Sequence, residues 1–179
     1  MLDVLVWGTH VPIDVGAFSG ALKSEIEAYL KRAAAFHSGR PAPASGGVLE
    51  MVYAAQVSYE RRLVAVTADP RAPTLAAAYV SDLKPCYEWE GYHGCPQGEA
   101  EFADRYRASH SGGPFDEYLS LLAAHRWLCA AEAFVYEQNP AEAARVRRLY
   151  ELRVAEARKV RSLLVRSAAD RLASKARCF

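Results

Sequence analysis

The last forty residues form the longest stretch of the chain without a helix-breaking residue. Between Pro140 and about Lys175 there is no glycine and no second proline, and alanine, arginine, leucine and glutamate dominate. One helix of this length would measure roughly 50–55 Å, whereas a compact chain of this size is about 40 Å across. The pattern therefore predicts a long, basic, amphipathic helix over residues 140–177. It would overhang the body, bend near Ser162 or Ser167, or pack against a second copy.

Five further helices are predicted from apolar residues at helical spacing and from the glycines and prolines between them. Three predicted helices begin at or just after a proline (Pro96, Pro114 and Pro140), and acidic residues follow in the first turn. This is the composition typical of a helix start. The five segments are residues 18–37, 48–67, 74–83, 97–109 and 115–137.

The expected architecture is all-α, with antiparallel helical hairpins that form a bundle or an array. Residues 1–12 are predicted to be a short extended arm, because residues 2–7 are apolar and partly β-branched. Short connections favour a single domain over residues 1–179. Hairpins that turn near Pro114 and Pro140 resemble tetratricopeptide-type repeats in architecture, although no second copy of their signature aligns at about 34 residues.

The formal net charge of +1 hides an uneven distribution. Residues 140–179 hold 11 basic and 4 acidic residues, a net charge of +7, and residues 1–139 hold 11 basic and 17 acidic residues, a net charge of −6. The basic segment at residues 140–179 could bind an anionic partner. The favoured interpretation is that its arginines pair with acidic residues in the rest of the chain. Nucleic-acid binding is not expected, since no aromatic residues alternate with the arginines for base stacking. The basic surface consists of Arg147, Arg148, Arg158, Arg161 and Arg166.

The four cysteines do not fall at zinc-site spacings and form no Cys-x-x-Cys pair. An even count permits two disulfides, which would indicate an extracytoplasmic compartment, whereas four free thiols would indicate the cytoplasm. A hairpin between the fourth and fifth predicted helices places Cys95 level with Cys129, which leaves Cys86 for Cys178. A local Cys86–Cys95 bridge is the main alternative. A Cys129–Cys178 bridge is disfavoured unless the last helix bends.

The segment between Cys86 and Cys95 is rich in aromatic and acidic residues. Its Glu90 and His93 have the Glu-x-x-His spacing of one half of a di-iron site, but no second pair occurs in the chain. The segment could line a cleft for a small or cationic ligand, or simply cover helix ends. The candidate binding residues are Tyr87, Glu88, Trp89, Glu90, Tyr92 and His93.

Three polar residues are predicted to face the core. His125 and Glu132 lie on the apolar stripe of residues 115–137, together with Val135, and Glu60 lies on the stripe of residues 48–67. Because a buried glutamate is costly without a partner, these residues could meet between helices, with Arg126 or Arg62 nearby. Such a cluster could be a metal site, a general acid–base pair or a hydrogen-bonded network that fixes helix register.

The predicted function is that of a non-enzymatic helical binding or assembly protein whose partner is another protein or a second copy. The expected contact regions are helix surfaces, the aromatic loop at residues 86–95 and the long C-terminal helix. The alternative is a metal-dependent helical-bundle enzyme that uses Glu60, His125 and Glu132, with Glu90 and His93 as further candidate residues. Nucleophile-elbow, phosphate-loop, dinucleotide and His-Glu-x-x-His motifs do not occur in the sequence. No cofactor is expected apart from a possible metal ion, and no apolar run is long enough for a transmembrane helix.

Overall fold

The computed structural model describes residues 1–8, 12–44, 46–83, 85–86 and 90–178. Within these ranges all regular structure is helical, which confirms the predicted all-α class. A 3₁₀ turn spans Val15–Ala17. The α-helices are α1 (Leu2–Val6), α2 (Gly20–Ala35), α3 (Val48–Ala65), α4 (Ala72–Asp82), α5 (Gly94–Ser109), α6 (Asp116–Tyr136), α7 (Pro140–Ala157) and α8 (Leu163–Lys175).

The chain divides into two compact units. One unit, Asp14–Glu88, contains α2, α3 and α4, and each of these helices packs against the next. The other unit, which we call the α6 unit, consists of Met1–Ile13 and Trp89–Phe179 and contains the remaining helices. The aromatic and aliphatic core of the first unit includes Ile26, Tyr29, Tyr59, Leu63, Tyr79 and Val80.

Helix α6 is the centre of its unit. Nearly all of its residues from Tyr118 to Phe134 are buried, on every side of the helix. A helix that is apolar all round is stable only when other helices enclose it. Helices α1, α5, α7 and α8 all pack against α6. Polar side chains on α6 are therefore placed where several elements meet.

The single long helix predicted over residues 140–177 is wrong, because the segment forms two helices, α7 and α8, with the interruption near Ser162 that was one of three options considered. Residues 158–162 separate α7 from α8. The Ser162 hydroxyl accepts the Val165 N–H at 3.2 Å, and Glu117 of α6 accepts the Ser162 N–H at 2.9 Å. These bonds satisfy N–H groups that an interrupted helix leaves without a partner. The break lets both halves of the apolar stripe pack in the α6 unit.

The predicted extended arm at residues 1–12 is wrong for its first half, because Leu2–Val6 is a helix. Its Leu5 is fully buried, and the Leu5 carbonyl accepts the Tyr118 hydroxyl at 2.8 Å. A short apolar run does not distinguish a strand from a helical turn, which explains the difference. Residues 9–11 of the predicted arm lie outside the described residues.

Candidate functional site

One face of α6 carries His125, Cys129 and Glu132 at positions i, i+4 and i+7, so that all three point the same way. Beyond α8, Ala176 adopts a left-handed conformation (φ 47°), and the chain continues to Cys178. Cys178 lies against the α6 face, where both carboxylate oxygens of Glu132 accept its N–H at 3.2 Å. The face therefore binds the C-terminal tail, which we define as residues 176–178.

The two ring nitrogens of His125 have different partners. Nδ1 is 2.8 Å from Nη1 of Arg126, and Nε2 is 3.1 Å from the Cys178 carbonyl oxygen. Because a guanidinium can only donate and a carbonyl can only accept, the neutral ring carries its proton on Nε2. The side chain is 1% exposed. His125 thus faces the core as predicted, and its hydrogen bonds connect α6 to the tail.

The Arg126 guanidinium is buried and makes several contacts. It forms an ion pair with Glu99 of α5, donates to the Val6 carbonyl at 2.9 Å, and lies 4.4 Å from the centre of the Trp7 ring. Arg126 was a predicted neighbour of a buried carboxylate, but Glu99 was not the expected partner. The sequence feature that could have indicated Glu99 is its position beside alanines on the apolar face of α5.

The tail is also covalently attached to α6 by a Cys129–Cys178 disulfide, with the Cα atoms 4.8 Å apart. The predicted Cys95–Cys129 and Cys86–Cys178 pairs are therefore wrong. That prediction assumed an unbroken last helix, whereas the break before α8 lets the chain return to α6. Cys86 and Cys95 are each disulfide-bonded as well.

His125, Cys129 and Cys178 form a buried cluster in which one ligand atom from each lies within 4.8 Å of the others. The Cys129 Sγ is 3.6 Å from Nδ1 and 3.8 Å from Nε2 of His125. Imidazole nitrogen and thiolate sulfur are the ligands that Zn²⁺ prefers. The oxidised cluster is a closed structural centre, because the disulfide occupies both sulfurs.

Glu60 lies in the α2–α4 unit, where Arg40 is its partner. Arg40 Nε is 2.5 Å from a Glu60 carboxylate oxygen, and the same guanidinium donates to the Ala77 carbonyl at 3.3 Å. Burial raises the pKa of Glu60, and the charge and hydrogen bond of Arg40 lower it by less. The convergence of Glu60 with His125 and Glu132, which belong to the α6 unit, stays a prediction.

The predicted binding segment is described only in part. Tyr87, Glu88 and Trp89 lie outside the described residues. Glu90 is exposed, and Tyr92 is 58% exposed. The role of these five residues in binding stays a prediction.

His93 connects the beginning of α5 to the end of α6. Its ring stacks on Phe134 with the ring centres 4.0 Å apart, and its Nδ1 is 2.6 Å from a Glu137 carboxylate oxygen. The other oxygen of Glu137 accepts the His93 backbone N–H at 2.8 Å. This backbone bond, assisted by the imidazole, lowers the pKa of Glu137 below its ordinary value. The pair joins two helix ends, which is a structural role for His93.

An exposed apolar surface lies at the last turn of α6. Val135 is 67% exposed and Tyr136 is 78% exposed, although Val135 was predicted to be on the core stripe. The stripe is buried as far as Cys129, and the burial ends within the last two turns. Beside it is an open groove of about 280 Å³, which we call the α6–α7 groove. The groove is lined by Ala131, Glu132, Val135, Ala143, Ala144 and Arg147.

The C-terminal arginines are partly neutralised within the α6 unit. Arg161 pairs with Glu117 of α6 at 3.3 Å, as the predicted pairing with the acidic part of the chain requires. Arg158 instead pairs with Asp170 of the C-terminal segment itself, at 2.7 Å. The other members of the predicted basic surface are Arg147, which lines the groove, Arg148, which is exposed, and Arg166, which is half-buried.

Comparison with known protein families, curated proteins and solved structures gives no match for this chain. No relative therefore assigns a role to any of these residues. Among the residues that the structure describes, no helix combines the length and the apolar character needed to cross a bilayer. The role of each site is therefore inferred from the contacts, exposure and charge of its side chains.

Proposed function

We propose that this chain is a non-enzymatic helical binding protein that assembles with a second copy through the α6–α7 groove and the adjacent Tyr136. The observation that carries the proposal is the exposure of Val135 and Tyr136, at 67% and 78%, beside an alanine-lined depression. Large apolar side chains that are exposed together mark interaction surfaces more often than isolated ones do. Arginine and tyrosine are also enriched among the residues that dominate binding energy.

The shape of this surface supports a two-fold arrangement. Glu132, Val135 and Tyr136 lie at i, i+3 and i+4, so the tyrosine projects from the face that borders the groove. The floor of the groove contains Ala131 and Ala143, whose small side chains leave space. In a two-fold dimer each copy inserts Tyr136 into the groove of the other. Such an interface uses the same patch twice.

The lining of the groove is apolar in character. Glu132 and Arg147 border it through the apolar parts of their side chains, and both carboxylate oxygens of Glu132 accept the Cys178 N–H. The contact proposed between two copies is therefore mainly apolar. The Arg147 guanidinium also lies 5.2 Å from the centre of the Tyr150 ring, a contact that helps to orient it.

The enzyme alternative has less support than assembly. A catalytic metal centre needs an open coordination position that a substrate can reach. His125 is 1% exposed, Cys129 is fully buried, and Cys178 of the tail is 4% exposed. This enclosure favours a structural role for the cluster.

The disulfides support an extracytoplasmic location, since such bonds persist in oxidising compartments. To test the redox state of the cysteines, protein from its natural source is quenched in acid and alkylated without prior reduction. Its intact mass is then measured. The proposal expects no added alkyl groups on any of the four cysteines. Four added groups would instead place the protein in a reducing compartment.

Self-association is tested by sedimentation velocity over a range of protein concentrations. The wild-type chain is expected to show a weight-average mass above 19.7 kDa that rises with concentration. The Tyr136→Ser variant should weaken association by about 30-fold or more, as expected for a central interface residue. The matched control is Leu49→Ser, on α3, because Leu49 is 64% exposed. A wild-type monomer at every concentration, or equal effects of the two variants, contradicts the proposal.

A further inference from the structure

We propose that the α2–α4 unit contains a binding site for an arginine on an extended segment of a partner protein, and that Arg40 of this chain occupies the site as an internal ligand. Arg40 lies in the coil between α2 and α3, and its guanidinium reaches acceptors on α3 and α4. The partner's arginine takes the place of Arg40 and releases the coil. This site is separate from the self-association surface of the α6 unit.

Three acceptors from two helices surround the Arg40 guanidinium. Its Nε is 2.5 Å from a carboxylate oxygen of Glu60, and its Nη1 is 3.5 Å from the side-chain oxygen of Gln56. Its Nη2 donates to the Ala77 carbonyl at 3.3 Å. Carboxylate, amide and carbonyl oxygens accept hydrogen bonds, and a guanidinium can only donate them. The convergence of these oxygens therefore selects a guanidinium as the ligand.

The Glu60 carboxylate gives the site its charge. Its side chain is 2% exposed, whereas that of Arg40 is 29% exposed, so the acid lies inside the unit and the base covers it from the surface. A buried carboxylate needs a positively charged partner, because an unpaired charge in the interior is costly. An arginine from another protein meets this need if it enters from the side where Arg40 lies.

The contacts of Arg40 leave room for a better ligand. Its two Nη contacts, at 3.5 and 3.3 Å, are longer than the roughly 2.7–3.2 Å typical of N–H···O hydrogen bonds. Arginine and carboxylate groups frequently form two parallel hydrogen bonds, which is the strongest arrangement of this pair. An arginine that is not tethered to α2 and α3 can shorten these contacts. It can therefore compete with Arg40.

The coil that carries Arg40 is attached by few contacts. Residues 38–44 read Ser-Gly-Arg-Pro-Ala-Pro-Ala, and most of those other than Arg40 are exposed. Besides the guanidinium, the Arg40 carbonyl contacts α3, where it accepts the Tyr53 hydroxyl at 3.1 Å. Prolines favour the extended polyproline II conformation, which many partner proteins present as a preformed ligand. The segment that fits this site is therefore an extended one in which proline follows arginine.

The binding test uses a capped peptide with the sequence of residues 38–42 and a control peptide with citrulline in place of its arginine. Calorimetry compares full-length wild type, Arg40→Ala and the matched control Arg32→Ala, because Arg32 donates to the Ala65 carbonyl instead. Arg40→Ala is expected to bind one arginine peptide per chain. Wild type and the control should bind it about 10-fold more weakly, which corresponds to an open fraction of about one tenth. Equal affinity of the three proteins, or equal binding of the citrulline peptide, overturns the proposal.

The Arg40→Ala change leaves Glu60 buried without its partner, so circular dichroism checks that the variant is folded. Should it not fold, Arg40→Lys replaces it, because lysine keeps the charge but lacks the fork of donors. The same tighter binding of the arginine peptide is expected. Adding Glu60→Gln to Arg40→Ala removes the charge with little change of shape and should weaken peptide binding by about 30-fold or more. Unchanged affinity of this double variant contradicts the role assigned to Glu60.

Displacement in the wild-type chain is measured by nuclear magnetic resonance of the arginine Nε–H groups, with Arg40→Lys to assign the Arg40 signal. In the free protein this N–H lies against Glu60 and is expected to exchange slowly with water. The arginine peptide should shift the Arg40 signal to the position of a solvent-exposed arginine, while the Arg32 signal stays unchanged. The final peptide concentration is about 10 mM, which exceeds the millimolar effective concentration of a short tether. An unaltered Arg40 signal overturns the proposal, because Arg40 would then be a permanent anchor of the coil.

Discussion

Arg126 and Glu99 form a salt bridge inside the α6 unit, where their side chains are 5% and 4% exposed. The bridge joins α6 to α5, and the same guanidinium donates to the Val6 carbonyl at 2.9 Å. Because His125 also accepts from this guanidinium, the chain termini are connected through one buried network. His125 and Arg126 therefore belong to one buried hydrogen-bonded network on α6, whereas the predicted convergence of Glu60 with His125 and Glu132 stays a prediction.

The Glu99→Gln substitution is expected to destabilise the protein strongly. It preserves the shape of the side chain but leaves the Arg126 charge buried without its partner. Loss of one member of a buried pair costs about 3–5 kcal/mol. Urea unfolding of the variant measures the loss, with Asp170→Asn as the control, since Asp170 pairs with Arg158 at the exposed surface. The control should cost less than about 1 kcal/mol. Equal losses would contradict the role assigned to Glu99.

The Glu137→Gln substitution should alter the acid side of the stability profile. The His93 backbone N–H lowers the folded-state pKa of Glu137 below its ordinary value of 4.5. Stability from this group is therefore fully present above pH 4.5 and is lost as the pH falls through the lowered pKa. Wild type should be more stable than the variant at pH 7, with the difference disappearing in acid. Denaturant unfolding from pH 7 to 3 measures this, with the exposed Glu151→Gln as control. A stability difference between wild type and the Glu137 variant that is the same at every pH would contradict this prediction.

The Ser162→Ala substitution tests the helix start after the break. The Ser162 hydroxyl accepts the Val165 N–H at the beginning of α8, and loss of such a cap costs about 1 kcal/mol. Thermal unfolding should show a lower midpoint for this variant. Ser174→Ala is the control, because the Ser174 hydroxyl donates to a carbonyl within α8. A midpoint that falls no further than that of the control would mean that the cap is unimportant.

The helical segments could be predicted because apolar periodicity and prolines act locally. The same periodicity placed His125 on the core face of α6. For the C-terminal segment, a break before α8 was only one of three predicted arrangements, because no glycine or proline marks it. The N–H of Ser162 at this break is accepted by Glu117, which belongs to another helix. The Cys129–Cys178 pair depends on that break and was disfavoured for this reason.

Two other features depend on packing that a single helical pattern does not contain. Val135 continues the stripe of α6, but whether neighbouring helices cover the last turn is decided by tertiary structure. Glu99 became the partner of Arg126 because α5 packs beside α6. Periodicity indicates which face of a helix is apolar, and the length over which that face is covered follows from the neighbours.

Self-association through Tyr136 and the α6–α7 groove is tested most directly by cross-linking two singly substituted chains. Val135→Cys protein, which keeps the Tyr136 ring, is mixed with Ala144→Cys protein under mild oxidation, and the native cysteines stay in their disulfides. The expected result is rapid formation of a covalent heterodimer, much faster than with Leu49→Cys in place of Val135→Cys. Heterodimer formation at the same slow rate in both mixtures would contradict the proposed interface.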